Sequence, residues 1–124
     1  HLDHKGSEAR TQSILLIDEK MKALNPDGLP VFLSADFNVK STNKIFAPIN
    51  EWMVSTRDVA PDSDDQKFTF NGYNAPKSQI DHIFFYAGKD GKVKPLTFKV
   101  LDGSYGATWI SDHFPVKATY RYSK

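Results

Sequence analysis

A chain of 124 residues with 40% hydrophobic and 25% charged side chains has the composition of one globular domain with a modest core. Its 16 basic and 15 acidic residues give a formal net charge of +1, so no overall field draws it to nucleic acid or to an anionic membrane. It has no cysteine, which excludes disulfides and thiolate metal sites, and no apolar run approaches the length of a transmembrane helix.

The first predicted element is a helix that follows the opening residues 1–4, His-Leu-Asp-His. Ser7 is its predicted N-cap, and Asn25-Pro26 is its predicted end. Apolar residues recur at steps of three and four, which gives the helix one apolar face: Ile14, Ile17, Met21 and Leu24.

Residues 31–35 predict a short strand that is apolar on both faces and therefore central in its sheet. The strand delivers Asp36 and Asn38 at its C-terminal end. In extended backbone these two side chains point the same way, while Phe37 packs on the other side. A carboxylate beside a neutral amide suits a water molecule next to a phosphate oxygen. A simple Asx turn, common after strands, is the alternative.

The middle of the chain predicts a second helix and a short strand. The helix covers residues 42–53, capped by Ser41 or Thr42, and Pro48 should kink it or split it into two turns. The acidic residues 62–65 are predicted as a solvated loop. Residues 67–70 predict a strand, followed by a turn-rich loop.

Residues 78–86 form the clearest strand pattern of the chain. Asp81 near its start is unusual, because a carboxylate in such an apolar run needs a partner. A turn then leads into a further strand near residues 96–101. In the loop that follows, Tyr105 and Trp109 could stack on a ligand or be half-buried loop aromatics.

An acid and an imidazole, Asp112 and His113, stand side by side just before an alternating run at residues 116–122. Period-two alternation predicts a half-buried strand, so the pair lies in the loop entering that strand, where catalytic groups are commonly held. Neutral histidine can take a proton near pH 7, and a carboxylate beside it can hold a hard cation. For the pair alone, a solvated turn is the alternative.

Three segments in this order resemble the endonuclease/exonuclease/phosphatase superfamily, which includes pancreatic-type deoxyribonuclease: residues 35–38 (Ala-Asp-Phe-Asn), 80–83 (Ile-Asp-His-Ile) and 111–116 (Ser-Asp-His-Phe-Pro-Val). The opening His-Leu-Asp-His, followed by Ala9-Arg10, is similar to the His-bearing strand end and helix that precede the family's Gly-Asp-x-Asn motif. Ala35 stands where the family usually has glycine.

The resemblance implies an α/β (α+β) fold that is half of a four-layered α/β/β/α sandwich, with a mostly antiparallel mixed sheet flanked by two helices. Family domains are roughly twice as long, so residues 1–124 correspond to the C-terminal half of such a domain. The N-terminal half of the family domain carries a metal-ligating Glu and an Asn. We therefore expect a missing N-terminal half as partner, without which this chain is inactive.

The resemblance also implies a metal-dependent phosphoesterase that hydrolyses a phosphodiester or phosphomonoester. By similarity, His113 activates the attacking water or stabilises the phosphate, and Asp81 orients His113. Asp36 positions the water, Asn38 hydrogen-bonds a phosphate oxygen, and His1 is a second phosphate contact.

Asp112 resembles a metal ligand, and the implied ion is Mg²⁺, with Mn²⁺ or Ca²⁺ as alternatives. The substrate stays open between nucleic acid, a phospholipid head group and an inositol phosphate. A non-catalytic binding module that retains the fold is the alternative function. Because the family includes many secreted bacterial members, the resemblance favours an extracytoplasmic location.

Overall fold

The computed structural model describes residues 1–73, 77–103, 106 and 110–124, and this part of the chain has the predicted mixed α/β fold. Helix α1 is Ser7–Leu24; a 3-10 turn at Lys44–Phe46 leads into the single-turn helix α2, Ala47–Asn50, and α3 is Thr56–Val59. The strands are β1 Val31–Asp36, β2 Val54–Ser55, β3 Asp62–Ser63, β4 Asp81–Tyr86, β5 Val93–Val100 and β6 Val116–Tyr122.

The strands form two three-stranded sheets. The first has the order β1-β4-β2 and is antiparallel throughout, and its register pairs Asp36 directly with Asp81. The second has the order β3-β5-β6, with β3 parallel and β6 antiparallel to β5. Two acidic side chains from separate strands therefore meet at one end of the first sheet.

The main core lies between the first sheet and the helices. Phe37, Phe46 and Phe84 are completely buried, with ring centroids 5.0 to 5.7 Å apart. Ile14 of α1 packs in the same cluster and is also fully buried. Aromatic rings at these separations add specific edge contacts to the burial of apolar area. A smaller cluster between the two sheets is centred on Phe98.

The first strand, predicted to be central in its sheet, has a single neighbouring strand among the described residues. Within these residues β1 pairs only with β4. Its side chains alternate, so that Val31 and Leu33 pack on the core while Phe32 is 51% exposed. An apolar residue on the outer face made the strand read as buried on both sides.

The second predicted helix is much shorter than residues 42–53, because only residues 44–50 are helical. The cap is Asn43, whose side chain accepts a hydrogen bond from the Ile45 amide, and not Ser41 or Thr42. Pro48 lies at the start of α2, where its missing N–H leaves no bond unmade. It thus divides the helix, as predicted.

The first helix has the predicted bounds, but two details differ. Ser7 is its first helical residue, and Gly6 occupies the N-cap position without a side-chain hydrogen bond. Leu24 is 83% exposed, because the last turn extends beyond the core that Ile14 and Ile17 contact. Among the described residues, no helix is both long and apolar enough to cross a membrane.

Two further segments differ from their predicted secondary structure. Residues 67–70 form no strand and are held by isolated bridges from Phe70 to Ser78 and His113. Part of the acidic segment 62–65, predicted as a loop, pairs with β5 as strand β3. The Asp64 carboxylate accepts the Val100 amide at 2.9 Å, which ties the acidic segment to the sheet.

The remaining strand predictions differ mainly in their starting points. β4 begins at Asp81 and not at residue 78, and β5 begins at Val93 and not near residue 96. β6 spans the predicted residues. Tyr105 and Trp109 lie outside the described residues.

Candidate active site

Asp81 and His113 form the central contact of the site. Asp81 begins β4, and His113 lies just before β6 in the other sheet. The two side chains are joined by a hydrogen bond of 2.8 Å between His113 Nδ1 and Asp81 Oδ2. The carboxylate accepts, so Nδ1 carries the proton and Nε2 is left as the nitrogen that can take one. The partner that the sequence predicted for Asp81 is therefore present.

Asp36 lies beside this pair, between two imidazole rings. Its Oδ2 is 3.6 Å from His113 Nε2 and 3.3 Å from His1 Nε2. The His113 and Asp36 side chains are 28% and 11% exposed, whereas that of His1 is 70% exposed. The site is therefore a partly buried acid and base with an exposed histidine at its rim.

Burial and neighbouring charges shift the pKa values of Asp36 and His113, which contact each other. Burial raises the pKa of Asp36, and the nearby charge of Asp81 raises it further, against a lowering hydrogen bond from the Asn38 amide. Burial by itself lowers the pKa of His113, but its hydrogen bond to Asp81 and the surrounding carboxylates outweigh burial, so the pKa is raised. His113 is therefore a stronger base than a free imidazole.

Asn38 is placed differently from the extended arrangement predicted for it. β1 ends at Asp36, and Asn38 has a left-handed backbone with φ of 57°. Its amide donates to Asp36 Oδ1 at 2.9 Å, which is the Asx turn that the sequence left as the alternative. Its side-chain Nδ2 donates to the Leu2 carbonyl, so Asn38 fastens the segment that carries His1. A contact from Asn38 to phosphate stays a prediction.

The described residues contain one group of three side chains whose ligand atoms, all within 4.8 Å of one another, could hold a metal ion: Asp36, Asp81 and His113. Asp112, the ligand predicted from the resemblance, is not part of that group. Its carboxylate lies 3.5 Å from Ser111 Oγ, in the loop that ends at His113. The short Asp81–His113 bond favours an acid–base pair over two ligands of one ion.

Sequence reasoning missed a buried arginine behind the site. Arg57 is 2% exposed and donates to the carbonyls of Asp64, Lys67 and Asp81. Its guanidinium lies 4.5 Å from the ring centroid of Phe98. It thus joins the start of β4 to the single turn between Asp64 and Lys67 in the preceding segment. Nothing in the local pattern of residues 54–60 distinguishes it from a surface arginine.

His82, next to Asp81, is completely buried among the core aromatics and was not assigned a role from sequence. Its Nε2 lies 2.7 Å from the Val39 carbonyl, and its Nδ1 is among the buried atoms without a hydrogen-bond partner. Nε2–H therefore donates, and Nδ1 is unprotonated. Burial lowers the pKa of His82, because charging it would place a cation in the apolar core.

The stability of the protein should consequently fall in acid because of His82. The pKa of a buried neutral histidine is lower in the folded state than in the unfolded chain, so its contribution is complete above about pH 6.5 and is lost as the pH falls below it. The loss is at most about 1.4 kcal/mol per pH unit for one proton. Urea unfolding between pH 8 and pH 5 measures it. His82→Gln, which keeps a donor to Val39 O, is the matched control; equal pH slopes for both proteins would contradict the assignment.

No family model matches the sequence, and no curated protein does. Solved structures do match. A mannosyl-6-phosphatase of Bacteroides thetaiotaomicron is 30% identical with a TM-score of 0.81, over 98% of this chain and 49% of its own. An endonuclease/exonuclease/phosphatase family protein of the same organism is also 30% identical, with a TM-score of 0.83, over 99% of this chain and 49% of its own.

A more distant match shows the fold alone. TDP2 of D. rerio, in complex with a single-stranded DNA product, is 17% identical with a TM-score of 0.72, over 94% of this chain and 51% of its own. The chain thus spans about half the length of each of these proteins. These matches confirm the recognition made from the motifs: the chain has the fold of the endonuclease/exonuclease/phosphatase family over about half the length of the proteins that it matches.

Proposed function

We propose that this chain is the C-terminal half of a metal-dependent phosphoesterase and carries its acid–base residues. The observation that supports this most directly is the Asp81–His113 hydrogen bond beside Asp36, because a carboxylate that holds a histidine by Nδ1 directs Nε2 toward a reacting group. The fold shared with a phosphatase supports the reaction class.

In this proposal the chain's own residues position and deprotonate a water molecule. Asp36 Oδ2 accepts a hydrogen bond from the water and aims it at phosphorus, and His113 Nε2 takes its proton. The water oxygen then bonds to phosphorus, and the ester P–O bond breaks with its electron pair going to the leaving oxygen. Asp81 keeps Nδ1 protonated and stabilises the imidazolium that forms. The raised pKa of His113 favours this proton transfer.

The chain offers the Asp112 carboxylate as a ligand for the proposed metal ion. Asp112 supplies a hard carboxylate oxygen next to His113, which fits Mg²⁺ in kind, but one carboxylate is fewer ligands than Mg²⁺ needs. Asp112 would therefore hold the ion together with residues outside this chain. A bound Mg²⁺ neutralises the charge that grows on the phosphoryl oxygens.

A phosphomonoester on a sugar or polyol is the substrate class that we favour. The 30% identical mannosyl-6-phosphatase supports a small phosphorylated sugar. The net charge of +1 argues against a nuclease that binds DNA non-specifically, because such binding depends on an excess of Lys and Arg. Inositol phosphates belong to the same chemical class, whereas phospholipid head groups and nucleic acid are tested as competitors.

A longer protein that includes the N-terminal half should release inorganic phosphate from mannose 6-phosphate and inositol phosphates when Mg²⁺ is present. Hydrolysis of a phospholipid head-group ester and of single-stranded DNA is followed in the same panel by their organic cleavage products. Chelation with EDTA should abolish the release and added Mg²⁺ should restore it, with Mn²⁺ and Ca²⁺ compared in parallel. Activity on the sugar and polyol phosphates should exceed that on DNA. A folded protein that hydrolyses none of the panel with any ion would favour the binding module.

A further inference from the structure

We propose that Thr69 and Asn71 are positioning residues that hold Asp81 and His113 in register. The two members of the pair are 32 residues apart and enter different sheets, so their hydrogen bond requires something that fixes one loop against the other. Thr69 and Asn71 are both completely buried. The catalytic consequence rests on the function proposed above, but the geometric role does not.

Thr69 fixes the start of β4. Its hydroxyl oxygen accepts hydrogen bonds from the amides of Ile80 and Asp81, each at 3.1 Å. A hydroxyl oxygen that accepts two backbone amides sets where the Asp81 backbone lies, and with it the origin of the carboxylate that contacts His113.

Asn71 fixes the loop before His113. Its Nδ2 donates to the Ser111 carbonyl at 3.0 Å, and its backbone amide donates to the Asp112 carbonyl at 2.8 Å. Its Oδ1 accepts the Tyr73 amide at 2.9 Å, so the side chain is bonded at both ends and cannot turn away. The two residues that precede His113 are therefore held by one buried residue, Ser111 through the Asn71 side chain and Asp112 through the Asn71 backbone amide.

The segment that contains Thr69 and Asn71 also contacts His113 and its neighbour Phe114 directly. The Thr69 carbonyl accepts the Phe114 amide at 2.7 Å, and the Phe70 ring lies 5.2 Å from the His113 imidazole. Residues 69–71 therefore bond both to the start of β4, which carries Asp81, and to the loop that carries His113. Loss of either anchor would let the carboxylate and the imidazole drift apart without removing a reacting group.

The test compares substitutions that remove hydrogen bonds of Thr69 or Asn71, the two anchor residues, with a substitution that keeps them. Thr69→Val keeps the shape but loses the acceptor, and Asn71→Asp keeps Oδ1 but loses the donor to Ser111. In the longer protein that includes the N-terminal half, each should lower kcat about 10- to 100-fold with little change in KM, the range for groups that orient a catalytic side chain. Thr69→Ser should retain near wild-type kcat. Thr97→Val, in the second sheet against Thr119, is the matched control and should leave kcat unchanged.

A spectroscopic readout separates positioning from a general loss of folding or of function. The proton of His113 Nδ1 in its bond to Asp81 should give a downfield ¹H NMR signal, identified by its absence in His113→Gln. Thr69→Val and Asn71→Asp should shift or abolish that signal, while Thr69→Ser and Thr97→Val retain it. Asn71→Asp carries the test if Thr69→Val does not fold. A wild-type signal and kcat in both anchor variants would overturn the proposal, whereas a wild-type protein that shows the signal without hydrolysis would overturn only the proposed function.

Discussion

Replacing His113 with alanine in the longer protein that includes the N-terminal half should lower kcat about 10²–10⁴-fold, far more than it perturbs folding. His113 is the group proposed to take the proton of the attacking water, and no other described side chain has a free imidazole nitrogen this close to Asp36 except the exposed His1. Its ring is partly exposed and contacts the Phe70 ring, and it belongs to neither core cluster, so little core packing is lost.

His4→Ala is the matched control for this substitution. His4, like His1, is an exposed histidine near the N-terminal end of the chain. Its described ionic contact is with Asp3, outside the site. Asp81→Asn and Asp36→Ala should also reduce kcat strongly. The Asp81→Asn/His113→Ala double variant should be little worse than His113→Ala, because both changes disable one unit. If activity falls only as far as the folded fraction falls, the catalytic role is wrong.

Residues 1–124 produced alone should have no Mg²⁺-dependent phosphoesterase activity. Asp112 is one predicted ligand, and a single carboxylate holds Mg²⁺ weakly. Part of the outer face of the first sheet is also open: Phe32 and Val54, which both lie opposite Phe85, are 51% and 43% exposed. At about 25 cal/mol per Å², each 400 Å² of apolar surface left uncovered forgoes roughly 10 kcal/mol, comparable to the stability of a whole domain.

The measurement pairs a phosphate-release assay with sedimentation of the same sample. We expect a chain that associates or unfolds and that releases no phosphate, beside a longer protein that includes the partner half and is active. Phe32→Ser and Val54→Ser should reduce association of the short chain if the open face causes it. A stable, active monomer of 124 residues would show that the half-domain architecture is wrong.

The sequence by itself determined the strands that deliver the residues of the candidate site. β4 and β6 read clearly because period-two alternation is a local property of the chain. Asp36, Asp81 and His113 could be grouped from sequence only through the resemblance, since each follows or precedes an apolar run but no local rule says which strand ends meet. The unpaired carboxylate of Asp81 was the one physical signal of a hidden partner.

Only the tertiary structure decided how those strand ends are brought together. The pairing of Asp36 with Asp81 is a matter of register between strands 45 residues apart, and register depends on which faces are buried when the whole sheet packs. The exposure of Phe32 was unreadable for the same reason, because an exposed phenylalanine looks like a buried one in sequence. The roles of Thr69 and Asn71 depend on backbone groups far along the chain, which no local pattern encodes, so only the folded arrangement identifies them.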